Sequence, residues 1–75
     1  MPELRSVSGQ QAIKALERLG FKQVRKRGSH VVLKKSIPTG HIGCVVPLHR
    51  QLKIGTLRGI LKLAKVDPEE FLNNL

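Results

Sequence analysis

The chain has 75 residues, of which 40% are hydrophobic and 25% are charged. This length predicts one domain over residues 1–75, with no room for a second hydrophobic core. The single cysteine, Cys44, excludes an intrachain disulfide framework and is typical of a protein from a reducing compartment. The sequence lacks the apolar run that a signal peptide or a bilayer-spanning helix needs. We therefore expect a small, soluble, cytoplasmic domain.

The charge distribution is the strongest compositional signal. Fourteen Lys and Arg residues against five Asp and Glu residues give a net charge of +9. No acidic residue lies between Glu17 and Asp67, whereas twelve basic residues do. Such a field attracts polyanions, and nucleic acid is the leading candidate partner. An acidic protein and an anionic membrane surface are the alternatives, and solubility alone is the remaining explanation.

A first helix is predicted from about Gly9 to Leu19. Ser8 and Gln11 have the spacing of a capping box, and apolar residues then recur at helical spacing. Gly20 follows where a helix commonly ends in a left-handed residue. Phe21 can then fold back on the last turn, as in a Schellman motif.

Three short strands are predicted next, in an antiparallel meander. The first ends at Arg27, and a turn at Gly28–Ser29 leads into the second at residues 30–33. After a loop over residues 36–40, the third strand covers residues 42–46.

The two-residue turn predicts a register for the first two strands. Six side chains share one face, as the pairs Arg27–His30, Arg25–Val32 and Gln23–Lys34. The other face contributes three apolar side chains to the core: Val24, Val31 and Leu33. His30 is therefore expected on the open face of the sheet, beside Arg25, Arg27 and Lys34.

The C-terminal part is predicted to be helical. A helix begins at Gly55 or Thr56 and carries an apolar stripe. A last short helix has Asp67 as its N-cap, Pro68 in its first turn and Glu70 completing a capping box. The order α-β-β-β-α with a terminal helical turn predicts an α+β fold. In this fold the helices cover one face of a three-stranded antiparallel sheet.

The sequence disfavours a metal centre. His41 and Cys44 have a ligand-like spacing, but alternation along a strand directs them to opposite faces. No second Cys or His pair completes a set of four ligands. We therefore expect no metal and no cofactor, and we expect Cys44 in the core.

His30 is the strongest candidate for chemistry because of its neighbours. The 2′-OH of RNA is an internal nucleophile, so strand scission needs proton transfer and cations close to the reacting phosphorus. His30 could transfer the proton, while Arg25, Arg27 and Lys34 could position phosphate and stabilise the developing charge. The alternative is that His30 is an exposed histidine beside a turn and has no functional role.

Two further residues are weaker candidates. His49 follows the third strand and could assist as a second acid or base or contact phosphate, although the commoner case is a surface-loop histidine. Lys53 precedes a helix whose free N–H groups, together with this ammonium, could hold a phosphate.

Five short segments occur in a recognisable order along the chain: residues 8–11 (SGQQ), 16–21 (LERLGF), 28–30 (GSH), 46–49 (VPLH) and 55–61 (GTLRGIL). Together they resemble the HicA toxin family of toxin–antitoxin modules over nearly the whole chain. The resemblance implies a double-stranded-RNA-binding-like fold and an endoribonuclease, or mRNA interferase, activity. The family's essential histidine lies in its Gly-Ser-His segment, which maps to His30. Its usual partner is a HicB antitoxin, which covers the active site.

Two other functions stay open at this point. A non-catalytic RNA-binding module would read the A-form shape through phosphates and 2′-hydroxyls. A chain that is chiefly the protein-binding half of a complex would associate with an acidic partner and bind RNA weakly. The sequence does not distinguish a base from an acid role for His30.

Overall fold

The computed structural model of the chain describes residues 4–75. Its elements are α1 (Gly9–Arg18), β1 (Lys22–Arg27), β2 (His30–Ile37), β3 (Gly40–Pro47), α2 (Ile54–Ala64) and α3 (Pro68–Asn73). The three strands form one antiparallel sheet in the order β1-β2-β3. This arrangement confirms the predicted α+β, double-stranded-RNA-binding-like fold.

Helix α1 has the two predicted end motifs. The hydroxyl of Ser8 accepts the N–H of Gln11 at 3.0 Å, and the Gln11 side chain accepts the N–H of Ser8 at 2.9 Å. At the other end, Gly20 has φ of 102° and Phe21 donates its N–H to the carbonyl of Leu16 at 3.0 Å. These bonds satisfy backbone groups that a helix leaves unpaired at its ends. The helix itself ends one residue earlier than predicted.

The register of β1 and β2 agrees with the prediction only close to the turn. Two of the three predicted pairs form: Arg27–His30 and Arg25–Val32. Beyond them a β-bulge shifts the register, and the predicted pairing of Gln23 with Lys34 is wrong. Gln23 pairs with Leu33, while Lys34 pairs with Lys22.

Val24 is the extra residue of this bulge. It has no partner on β2, and its side chain is 55% exposed, so its predicted place in the core is wrong. A bulge inserts one unpaired residue and changes which face the following side chains occupy. As a result, Gln23 moves to the face that the helices cover, and every residue of β1 is exposed.

The loop between β2 and β3 is shorter than the predicted span of residues 36–40. β2 continues to Ile37 and β3 starts at Gly40, and these two residues pair. Only Pro38 and Thr39 lie between the strands. Gly40 has φ of 138°, a conformation that L side chains rarely adopt, and this allows the chain to reverse in so few residues.

The core lies between the helices and one face of the sheet. β2 and β3 contribute four buried side chains to it: Val31, Leu33, Cys44 and Val46. The apolar stripe of α2 is buried as predicted, through Leu57, Ile60, Leu61 and Ala64. In α3 the N-cap Asp67 is confirmed, but its carboxylate accepts the N–H of Glu69 at 3.1 Å, and the predicted capping box with Glu70 does not form.

Three backbone hydrogen bonds hold the segment between β3 and α2 in place. Leu48 donates its N–H to the carbonyl of Ser29 in the β1–β2 turn at 2.6 Å. The carbonyl of His49 accepts the N–H of Gly9, the first residue of α1, at 2.9 Å. Leu52 donates to the carbonyl of Val7 at 2.7 Å. The end of the sheet that carries His30 is thereby connected to the start of α1.

Candidate nucleic-acid interface

His30 begins β2 on the face of the sheet opposite the buried side chains. Its side chain is exposed. Arg27 lies directly across from it, which separates the two Cα atoms by about 5 Å. Arg25 lies on the same face, diagonally from His30 at about 7–8 Å. A histidine and two guanidinium groups therefore share one small area of the open face.

Lys34 lies on the same face as His30 but farther along β2. Lys34 is four positions after His30 on the strand, which places the two Cα atoms roughly 13 Å apart. Lys22 lies directly opposite Lys34 because of the bulge. Sequence reasoning missed Lys22 as a member of this face, since an unbroken alternation from the turn assigns it to the other one. We call Lys22, Arg25, Arg27, His30 and Lys34 the basic face.

The centre of the basic face is apolar. Val32 and Val45 are directly paired, and Val45 is 45% exposed. The chain contains no Trp or Tyr, and its two phenylalanines, Phe21 and Phe71, are buried at 2% and 0% exposure. The centre of this face thus presents methyl groups, and the rings it exposes are the imidazoles of His30 and His41. The charge of this face suits the phosphates of a polyanion.

His49 lies two residues beyond Pro47, the residue of β3 that pairs with His30. Its exposed side chain lines a surface cavity of about 250 Å³, together with Ser8, Gln10, Leu48 and Arg50. His30 does not line that cavity. A backbone hydrogen bond from Leu48 to Ser29 joins the two segments that carry these histidines.

Lys53 is the N-cap residue of α2. Its side chain is exposed and makes no capping hydrogen bond. Helix α2 packs on β3, on the covered side of the sheet. The structure therefore places Arg25 and Arg27 next to His30 and Lys34 farther along the same face, whereas Lys53 begins a helix on the covered side.

The residues considered as metal ligands do not come together. His41 is exposed and pairs with Ser36, at the far end of the sheet from His30, whereas Cys44 is buried in the core. Burial raises the pKa of the Cys44 thiol from an ordinary 9.0 to about 11. Within residues 4–75 no three His, Cys, Asp or Glu side chains form a group that could hold a metal ion.

The chain is a small α+β protein with a double-stranded-RNA-binding-like fold and an exposed basic face. A family model described as the HicA toxin of bacterial toxin–antitoxin systems matches residues 9–66 of the 75-residue chain. The chain belongs to the HicA toxin family, and it is a toxin component of a toxin–antitoxin module. No curated protein gives a significant match to the sequence. No helix within residues 4–75 has the length and apolar character needed to cross a membrane.

Proposed function

We propose that the protein is an endoribonuclease that cleaves mRNA and that His30 transfers a proton in the reaction. The observation that carries this proposal is the position of His30 opposite Arg27 and diagonal to Arg25 on an exposed basic face. Membership in a toxin family supports it, because destruction of transcripts is a direct way to arrest growth. HicB-like antitoxin is the proposed protein partner.

The proposed chemistry uses the nucleophile that RNA itself carries. The 2′-oxygen attacks the adjacent phosphorus, the bond to the 5′-oxygen breaks, and the products are a 2′,3′-cyclic phosphate and a 5′-hydroxyl. His30 either takes the proton from the 2′-OH or donates one to the departing 5′-oxygen, and water makes the other transfer. Proton transfer by a positioned side chain contributes about 10²–10⁴-fold to a rate. Arg25 and Arg27 stabilise the charge on the phosphorane oxygens.

The other proposed RNA contacts lie farther from the reacting phosphate. Lys34 is roughly 13 Å along β2 from His30 and is therefore expected to contact a different phosphate of the same strand. His49 and Lys53 lie outside the basic face and are proposed as accessory phosphate contacts. No metal and no cofactor takes part in the proposed reaction.

The test is cleavage of a labelled single-stranded RNA by wild type and His30→Ala, with RNA binding measured in parallel. We expect His30→Ala to bind RNA nearly as well as wild type and to cleave about 10²–10⁴-fold more slowly. The matched control is Lys62→Ala, a change at an exposed cation on α2 that should cleave normally. Cleavage should persist in EDTA, and a DNA strand of the same sequence should bind without being cut.

A non-catalytic RNA-binding module is the second candidate. It is favoured by one observation: within residues 4–75 no hydrogen bond orients the imidazole of His30, as a paired residue does for many catalytic histidines. This candidate predicts salt-sensitive binding by wild type and His30→Ala alike. If the protein binds RNA but cleaves neither free nor ribosome-bound mRNA, the binding module is correct and the nuclease proposal is wrong.

A further inference from the structure

Strand β1 forms one edge of the sheet. It pairs only with β2, and all six of its residues are exposed. A strand of six residues presents an edge of roughly 20 Å. The N–H and C=O groups on that edge that do not bond to β2 can pair with a strand from another chain.

A groove of about 410 Å³ lies between β1 and α1. It exists because β1 directs the polar side chains of Gln23 and Lys26 toward the helices and so does not fill the space beside α1. Three of its eight lining residues are apolar, namely Ile13, Val31 and Leu48, and they form its floor, since Ile13 and Val31 are almost fully buried; the other five are polar or charged. The groove therefore has room, above a small apolar floor, for side chains of a strand placed next to the free edge of β1.

The charges on β1 determine which strand can pair with it. Four of its six residues are basic: Lys22, Arg25, Lys26 and Arg27. A second copy of β1 would bring like charges opposite one another, which is unfavourable and is a common protection of edge strands. A strand rich in Asp and Glu would instead meet opposite charges. Lys14 adds a further cation to the groove, and Glu17 is its only acidic lining residue, with its carboxylate 3.5 Å from the Gln23 amide.

We infer that β1 and the adjacent groove bind an extended acidic segment of a protein partner, which adds a fourth strand to the sheet. Alternate side chains of such a strand point to opposite faces. Those on the open face lie beside Arg25 and Arg27 and are expected to be Asp or Glu. Those on the covered face lie at the groove and are expected to be apolar. The added strand is thus expected to alternate acidic and apolar residues, with backbone hydrogen bonds supplying affinity.

The bulge at Val24 limits where regular pairing can occur. A bulge disrupts the ladder locally and increases the twist. We therefore expect the added strand to pair mainly with residues 25–27, next to Lys26 and the groove. This inference rests on the proposed function in one respect: the antitoxin is the protein expected to supply the acidic segment. Binding of the segment does not depend on whether the protein cleaves RNA.

The test uses the full-length protein labelled with ¹⁵N and an eight-residue peptide of alternating Glu and Val, blocked at both ends. We expect saturable binding, with chemical-shift changes at residues 22–27 and around the groove. Amides of β1 that do not bond to β2 should exchange more slowly with solvent. The matched peptide is N-methylated at four central residues, which keeps its charge and removes its donors, and it should bind about tenfold or more weakly.

Two charge reversals complete the test. Arg27→Glu should weaken peptide binding by about tenfold or more, whereas Arg58→Glu, with the same change of charge on α2, should have little effect. Equal losses in both variants, equal binding of the N-methylated peptide, or no saturable binding would overturn the inference. Each of these outcomes leaves RNA cleavage by His30 to be judged separately, because the peptide assay contains no RNA.

Discussion

Gly9 and Pro47 approach so closely that a Cβ atom on Gly9 would overlap the carbonyl oxygen of Pro47. The same Cβ would lie 2.9 Å from the Cα of Leu48. Both obstacles are backbone atoms, which cannot rotate away as a side chain can. The contact joins the first residue of α1 to the end of β3, next to the hydrogen bond from Gly9 to His49.

The Gly9→Ala variant is therefore expected to be less stable. The added methyl group must displace α1 or the chain after β3, and overpacking of this kind costs about 1–3 kcal/mol. Urea denaturation followed by circular dichroism measures the free energy of unfolding. A free energy equal to that of wild type would contradict the close approach.

Gly59→Ala is the matched control for this change. Gly59 lies inside α2, and a Cβ there would meet nothing within 4 Å. Alanine is favoured over glycine in a helix interior by about 0.8–1.0 kcal/mol. The same substitution should thus raise the free energy of unfolding at position 59 and lower it at position 9.

The backbone of Lys65 adopts the left-handed conformation, with φ of 55° and ψ of 40°. It ends α2 with a pair of hydrogen bonds, in which Lys65 donates to the carbonyl of Lys62 and Val66 donates to that of Leu61. Glycine is the usual residue at such a position because it has no Cβ. Lys65→Gly is expected to stabilise the protein by about 1 kcal/mol.

The control for that prediction is Lys65→Ala. It removes the same positive charge but keeps the Cβ, so it should give little or no stabilisation. A similar gain in both variants would attribute the effect to relief of charge repulsion instead of backbone conformation.

The thiol of Cys44 is expected to react slowly in the folded protein. Its side chain is 3% exposed, and burial raises its pKa to about 11, so very little thiolate exists at pH 8. Reaction with Ellman's reagent at pH 8 should be slow in buffer and fast in guanidinium chloride. Fast reaction without denaturant would contradict the burial.

The same raised pKa links stability to alkaline pH. The folded pKa lies above the unfolded value of 9.0, so the stabilising contribution is complete below pH 9 and is lost as the pH rises through about 11. The free energy of unfolding of wild type should therefore fall relative to that of Cys44→Ala between pH 9 and pH 11. Comparing the two proteins cancels the titration of the lysines.

The salt dependence of RNA binding should report the phosphate contacts of the basic face. Each phosphate contact on a single strand contributes about 0.7 to the slope of log affinity against log salt concentration. Arg27→Ala should reduce the slope by about that amount. Lys62→Ala on α2 should leave it nearly unchanged. Equal reductions would mean that RNA responds to the total charge of the molecule and not to this face.

The sequence predicts α1 well because local and tertiary requirements agree there. Ser8 and Gln11 cap the start, and Gly20 supplies the left-handed residue at the end. The position of His30 was also predictable, since it lies beside the turn that sets the register. Both predictions depend on residues that are close together in the chain.

The bulge in β1 could not be predicted from the same reasoning. A turn fixes the register only of the pairs next to it, and farther along the strand the hydrophobic pattern must maintain it. β1 has a single apolar residue, Val24, so almost no burial energy resists a shift of one position. For the same reason, nothing in the sequence assigned Lys22 to the basic face. The position of His49 relative to His30 depends on backbone contacts between segments that are distant in sequence.

The hydrogen bonds around Ser29, Leu48 and Gly9 also determine how this end of the molecule opens. These bonds join three segments: the β1–β2 turn, the chain after β3 and the start of α1. If one segment moves away, the hydrogen bonds that it shares with the others break. Their amides should therefore exchange with solvent as one cooperative unit, at a free energy close to that of global unfolding. The exposed turn at Pro38–Thr39, at the opposite end of the sheet, can fray without disturbing them. On this expectation the imidazole of His30 is attached to a slowly opening part of the fold, and fraying at the β2–β3 turn leaves it in place.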